Sequence, residues 1–133
     1  MNLLFYKVDK DDFDYFLQLS NLVMCKRNYY SVYNDFFVLL SPEGHLEAAC
    51  VIKPIKDNNF YIELFEVSET NFRQGIGRLL FDKVVKFYSN NLNSLTFKLE
   101  SLDDNSDIFW KKMGFIEFKN EEGETLMRKN IEF

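Results

Sequence analysis

Phe60 to Val67 is an apolar, β-prone run that passes through a short polar segment into Gln74-Gly75-Ile76-Gly77-Arg78, where a helical pattern starts at once. A strand that feeds a helix through a glycine turn belongs to an α/β domain. The same junction points several unpaired backbone N–H groups at one spot, backed by the positive end of a helix dipole. Such a spot suits phosphate, and glycine keeps the main chain free of a Cβ that would block the approach of a phosphate oxygen. Two common phosphate motifs fail on spacing. A dinucleotide fingerprint needs a third glycine where Leu80 stands, and a P-loop needs Gly-Lys-Ser/Thr, which the chain lacks.

The rest of the chain reads as one domain over residues 1–133, long enough to bury a core without staples. Hydrophobic content of 47% with 15 Phe argues for a packed globule and against disorder. Net charge of −5 disfavours nucleic acid as a partner and suits a cationic acceptor. No run approaches a membrane helix, so the expected location is the cytoplasm with no membrane partner. Cys25 and Cys50 have no metal or redox spacing and read as free thiols, so no metal is expected. His45 follows Pro42-Glu43-Gly44 and reads as a turn residue.

Periodicity predicts a strand over Leu3 to Val8, then a helix opened by Asp9, Asp11 and Asp12. Its apolar stripe is Phe13, Phe16, Leu17 and Val23, ending near Lys26-Arg27. Strands follow over Phe36 to Leu40, Leu46 to Ile52 and Phe60 to Val67. Ile76, Leu79, Leu80, Val84, Phe87 and Tyr88 recur at helical spacing. Leu95 to Leu99 reads as a strand, Asn105 to Met113 as a short helix, and Phe115 to Phe118 and Thr125 to Asn130 as closing strands.

Val67 stands eight residues before Gly75, and Phe109-Trp110-Lys111-Lys112-Met113-Gly114-Phe115 forms a second block. Together with the tail Thr125 to Asn130, these landmarks resemble the GNAT superfamily of acyl-CoA-dependent N-acetyltransferases from about Leu3 to Arg128. The family loop is Arg/Gln-x-x-Gly-x-Gly/Ala, and its late signature is Phe/Leu-Tyr-x-Lys-x-Gly-Phe. The resemblance implies a single α/β (α+β) domain of order βααβββαβαββ. Its mixed, mostly antiparallel sheet has about seven strands, with helices on both faces.

It also implies acetyl-CoA as donor and a primary amine as acceptor, with a homodimer left open. Phe65 and Val67 would bond the pantetheine arm, and Gln74, Gly75, Ile76, Gly77 and Arg78 would supply the pyrophosphate amides. Phe72 falls on the family's leading Arg/Gln, with Arg73 one place later. Asn105, Trp110 and Lys112 complete the expected cofactor contacts, and Asp103 holds the offset at which the family has Asn. Glu63 and Glu100 are the candidate bases, with Glu66, of opposite strand parity to Glu63, in reserve. Trp110 replaces the family's Tyr acid, and an indole N–H donates a hydrogen bond without releasing a proton. Tyr29, Tyr30 and Tyr33 fall where relatives cover the acceptor. The alternative reading is a catalytically weak CoA-binding or protein-interaction module on the same fold, which Phe72 and Trp110 favour.

Overall fold

The computed structural model describes residues 2–20, 22, 30–68, 75–90 and 92–133. Seven strands and three helices follow one another as β1 (Leu4–Val8), α1 (Lys10–Gln18), β2 (Asp35–Leu40), β3 (Leu46–Ile55), β4 (Asn59–Val67), α2 (Ile76–Tyr88), β5 (Ser94–Leu99), α3 (Asp104–Lys112), β6 (Ile116–Lys119) and β7 (Thr125–Glu132). One sheet holds all seven strands in the order β1-β2-β3-β4-β5-β7-β6. Its only parallel neighbours among the described residues are β4 and β5, joined through α2. A parallel pair needs such a crossover, which accounts for a glycine loop and helix at this point of the chain.

The sheet is buried on two faces where β2 and β3 run. Phe37, Leu39, Ala48, Cys50 and Ile52 face a core shared with α2 and α3, while Phe36, Val38, Leu40, Ala49 and Val51 face a core shared with α1. The near-continuous apolar runs of these strands follow from that double burial. Helices therefore lie on both faces, as expected.

Helix α1 starts where Asp9 caps it, its carboxylate accepting from the Asp12 N–H at 2.8 Å. It ends at Gln18, well short of the expected Lys26-Arg27. Ser20 turns its hydroxyl back to the Leu17 carbonyl at 2.9 Å and accepts from the Leu22 N–H, a local bonding pattern that competes with helix continuation. Val23 and the second of the two expected helices fall outside the described residues. No helix among those described is long and apolar enough to cross a membrane.

Pairing of β3 with β4 changes register between Val51↔Leu64 and Ile52↔Ile62, so Glu63 is the extra residue of a β-bulge. The bulge reverses the alternation. Phe60 and Ile62 pack toward α2 and α3, Leu64 packs toward α1, and Phe65 and Val67 again meet the α2–α3 core. Glu66, two residues on from Leu64, shares its face and that of Tyr61. The expected parity contrast between Glu63 and Glu66 assumed unbroken alternation and does not hold.

Candidate functional site

The ladder between β4 and β5 stops at Ile62↔Leu99, whereas β4 runs on to Val67. Beyond Leu99 the chain leaves the sheet for α3, so β4 runs on past the end of β5, and the space beside that overhang is the candidate cleft. Phe65 and Val67 lie on the stretch of β4 beside that cleft.

The N-terminus of α2 stands at the far end of the same stretch, and it differs from the other two helix starts. Asp9 and Asp103 cap α1 and α3 with their side chains, and both helices carry acidic residues in the first turn. Helix α2 has Gly75 as N-cap, no side-chain cap bond among the described residues and no acidic residue in its first turn. Its ladder opens with the Leu79 N–H bonding the Gly75 carbonyl, which leaves the amides of Ile76, Gly77 and Arg78 ahead of the first helical bond. Gly75 has φ of 75°, a left-handed conformation that only glycine adopts without strain. A helix start with no side-chain cap among the described residues, no acidic residue and an arginine in its first turn fits a pyrophosphate.

At Gly77 packing supplies a reason for glycine beside the expected one. A Cβ there would sit 2.8 Å from Cε1 and 2.9 Å from Cζ of Phe109, so a side chain would force the Phe109 ring or α3 to shift. Arg78 also ties the two helices, donating to the Lys112 carbonyl at 3.4 Å. Lys112 is exposed beside it, while Lys111 is engaged by Glu117 at 3.1 Å. Lys129 Nζ donates to the Met113 carbonyl at 2.6 Å, and Gly114 has φ of 94°. Helix α3 thus ends on cations and a left-handed glycine, as its sequence suggested.

Trp110 is 4% exposed. Its ring lies 4.8–4.9 Å from those of Phe65, Phe109 and Phe115 and 6.0 Å from Phe81. The indole acts as core between β4, α2 and α3. Asn105 is exposed in the first turn of α3, and it is Asp103 that caps the helix, accepting from the Ser106 N–H at 2.7 Å.

Glu63 and Glu100 bracket the parting of β4 and β5 from the α1 side of the sheet. Glu100 follows Leu99, which faces the α2–α3 core, so alternation turns it the other way. Both carboxylates act on Tyr61. Burial pushes the Tyr61 phenol upward, and Glu100, Glu63 and Glu124 add to the shift. Tyr61 was not anticipated. Its place two residues before Glu63 in an alternating strand was the available signal.

Tyr30 and Tyr33 do not gather at the cleft. Tyr30 packs edge-on to Phe36 in the α1 core, at 6.4 Å between ring centroids. Tyr33 is 88% exposed and lines an open recess of about 330 Å³ with Lys7, Asp9 and Asp35. That recess lies where β1 ends and β2 begins, with β3 between it and β4, so it is remote from the cleft. Tyr29, Phe72, Arg73 and Gln74 lie outside the described residues.

Residues 27–129 match the family model described as an acetyltransferase (GNAT) domain. No curated protein matches the chain in sequence. Among solved structures, a GNAT-family acetyltransferase from Staphylococcus aureus is similar with a TM-score of 0.72 at 14% identity, covering 97% of this chain and 99% of that one. A PaiA N-acetyltransferase from Thermoplasma acidophilum in complex with coenzyme A gives 0.73 at 12%, covering 98% and 100%. The spermidine/spermine N-acetyltransferase SpeG from Vibrio cholerae gives 0.63 at 13%, covering 98% and 95%. With the glycine loop, the parted strands and most of its length matched by one family model, the chain belongs to the GNAT acetyltransferase family.

Proposed function

We propose that this GNAT protein transfers an acetyl group from acetyl-CoA to a primary amine by direct attack of the amine on the thioester. Acetyl-CoA-dependent acetyl transfer is the general chemistry of the family. The observation that carries the reading is the glycine-led start of α2, free of acidic residues in its first turn, beside the stretch of β4 that outruns β5. The amides of Ile76, Gly77 and Arg78 would hold the pyrophosphate, with Arg78 and Lys112 adding charge. Main-chain groups of Phe65 and Val67 would hold the pantetheine arm as an added strand.

When bound, acetyl-CoA supplies an acyl carbon activated by its sulfur. Glu63 receives the proton that the amine loses as the C–N bond forms and the C–S bond breaks, and Glu100 on the facing strand end is the second candidate. The α1 side of the cleft, where both carboxylates stand, is where the acceptor enters. Trp110 is sealed among phenylalanines and gives no proton to the departing thiolate. A thiol of pKa roughly 8.5–10 leaves without such help.

Acetyl-CoA should raise the melting temperature where NAD does not, and a panel of primary amines should reveal acetyl-dependent thiol release. Glu63→Gln should lower kcat by about 10²–10⁴ with acetyl-CoA binding retained. Stabilisation by acetyl-CoA without thiol release from any amine would favour the non-catalytic CoA-binding module, to which the burial of Trp110 lends weight. Absence of any acetyl-CoA effect would remove both readings.

A further inference from the structure

The α1-facing side of β5 and β7 carries a pair of cations that the transfer chemistry leaves unused. Lys98 alternates with Phe97 and Leu99, and Arg128 follows Met127, all three of which face the α2–α3 core. Both cations therefore stand on the opposite face, together with Tyr61. Strand pairing sets Tyr61 beside Lys98 and Lys98 beside Arg128, so the three run across β4, β5 and β7 in one row. Lys98 Nζ lies 5.8 Å and Arg128 Cζ 4.9 Å from the centroid of the Phe118 ring. The ring holds both cations over this face.

Neither cation forms an ion pair within 4.0 Å among the described residues. The Arg128 Nε is buried with no hydrogen-bond acceptor, the only such side-chain atom found among the described residues. A buried donor without a partner is costly, and a guanidinium beside an ammonium is suited to a carboxylate or a phosphate. No ion pair within 4.0 Å among the described residues joins these cations to the carboxylates on the same surface. Glu63 and Glu100 stand at the cleft, and Arg128 lies two residues back and one strand across from Glu100, roughly 8 Å between Cα atoms by strand geometry.

We infer that the acceptor is a primary amine that also carries an anionic group, its amine directed to Glu63 and Glu100 and its carboxylate or phosphate to Lys98 and Arg128. The inference rests on the transferase reading and narrows its acceptor. A purely cationic polyamine would gain from the carboxylates but would meet Lys98 and Arg128 with like charge.

The test compares 4-aminobutyrate with 4-aminobutanamide, and 2-aminoethyl phosphate with ethanolamine, as acceptors in a thiol-release assay. The anionic member of at least one pair should have a KM about tenfold or more below its neutral counterpart. Which pair shows the larger ratio tells carboxylate from phosphate. Arg128→Gln and, separately, Lys98→Gln should bring that ratio toward unity, and Arg128→Lys should keep most of it. Equal KM values within both pairs in the unaltered protein, or an unchanged ratio in both Gln variants, would overturn the inference. Should no amine be acetylated, the transferase reading fails on its own. Calorimetric titration of the CoA-loaded protein with the same four compounds then decides this one. Tighter binding of an anionic member, lost in Arg128→Gln, supports an anion site, and no difference refutes it.

Discussion

Gly77→Ala should destabilise this protein although alanine is the better helix former. Within a helix the exchange is favourable by about 1 kcal/mol. Against that stands the Phe109 ring, whose Cε1 and Cζ lie 2.8 and 2.9 Å from the new Cβ, about 0.6 Å inside the 3.4 Å at which ordinary contacts begin. The ring has little room to swing, because Phe65 and Trp110 flank it at 5.7 and 4.8 Å between centroids. Relief requires α3 to shift on α2, and overpacking of this kind costs about 1–3 kcal/mol. The net loss should be about 0–2 kcal/mol. Phe109→Leu removes both clashing atoms, so in that background Gly77→Ala should become neutral or stabilising, with a coupling of about 1–3 kcal/mol. Urea unfolding of the four proteins of this cycle, followed by Trp110 fluorescence, measures it. Gly75→Ala serves as the contrast: its Cβ would meet nothing within 4 Å, while its φ of 75° costs about 1–2 kcal/mol in either background. A Gly77–Phe109 coupling below about 0.5 kcal/mol would refute the packing account of Gly77.

Tyr88 should give the protein a stability that fails in alkali. Burial, and then the hydrogen bond its hydroxyl donates to Asp35, raise the phenol well above its ordinary value. With an unfolded value near 10, that stabilisation is complete below about pH 10 and is lost as pH rises beyond it. Tyr88→Phe should be less stable by about 1–3 kcal/mol at pH 8, with the gap to the unaltered protein closing above pH 10. Parallel pH slopes for the two proteins in urea unfolding would contradict this. Trp110→Tyr should lower stability by roughly 1–2 kcal/mol, through the void left among Phe65, Phe81, Phe109 and Phe115, and should change kcat by less than about threefold. A tenfold rise in kcat would show instead that a hydroxyl at this position reaches the leaving sulfur.

The parts of the fold that depend on local pattern were open to reading. The run Phe36 to Leu40 and the stripe of Ile76, Leu80 and Val84 each announce one period, and the strands and helix they form begin or end within a residue or two of expectation. The end of α1 was hidden because apolar spacing continues past Gln18, while the outcome depends on one serine hydroxyl turning back to Leu17. Tyr33 failed for a different reason: position between two elements says nothing about which end of the sheet a loop will occupy. The bulge at Glu63 was least legible of all. Phe60-Tyr61-Ile62-Glu63-Leu64 alternates without a break, and only the pairing with Val51 and Ile52 singles out Glu63 as the extra residue.

That one residue also explains how a single strand serves two faces. Without it, Phe60, Ile62 and Leu64 would all face α2 and α3, and Phe65 and Val67 would turn away from the glycine loop. With it, Phe65 and Val67 stay on the side of α2, Leu64 fills the α1 core, and Tyr61 keeps company with Glu63 and Glu100 where the strands part. In the proposed reaction, a donor held on one face and an acceptor arriving from the other would meet where β4 outruns β5. The bulge and the early end of β5 fall at that same point of the sheet.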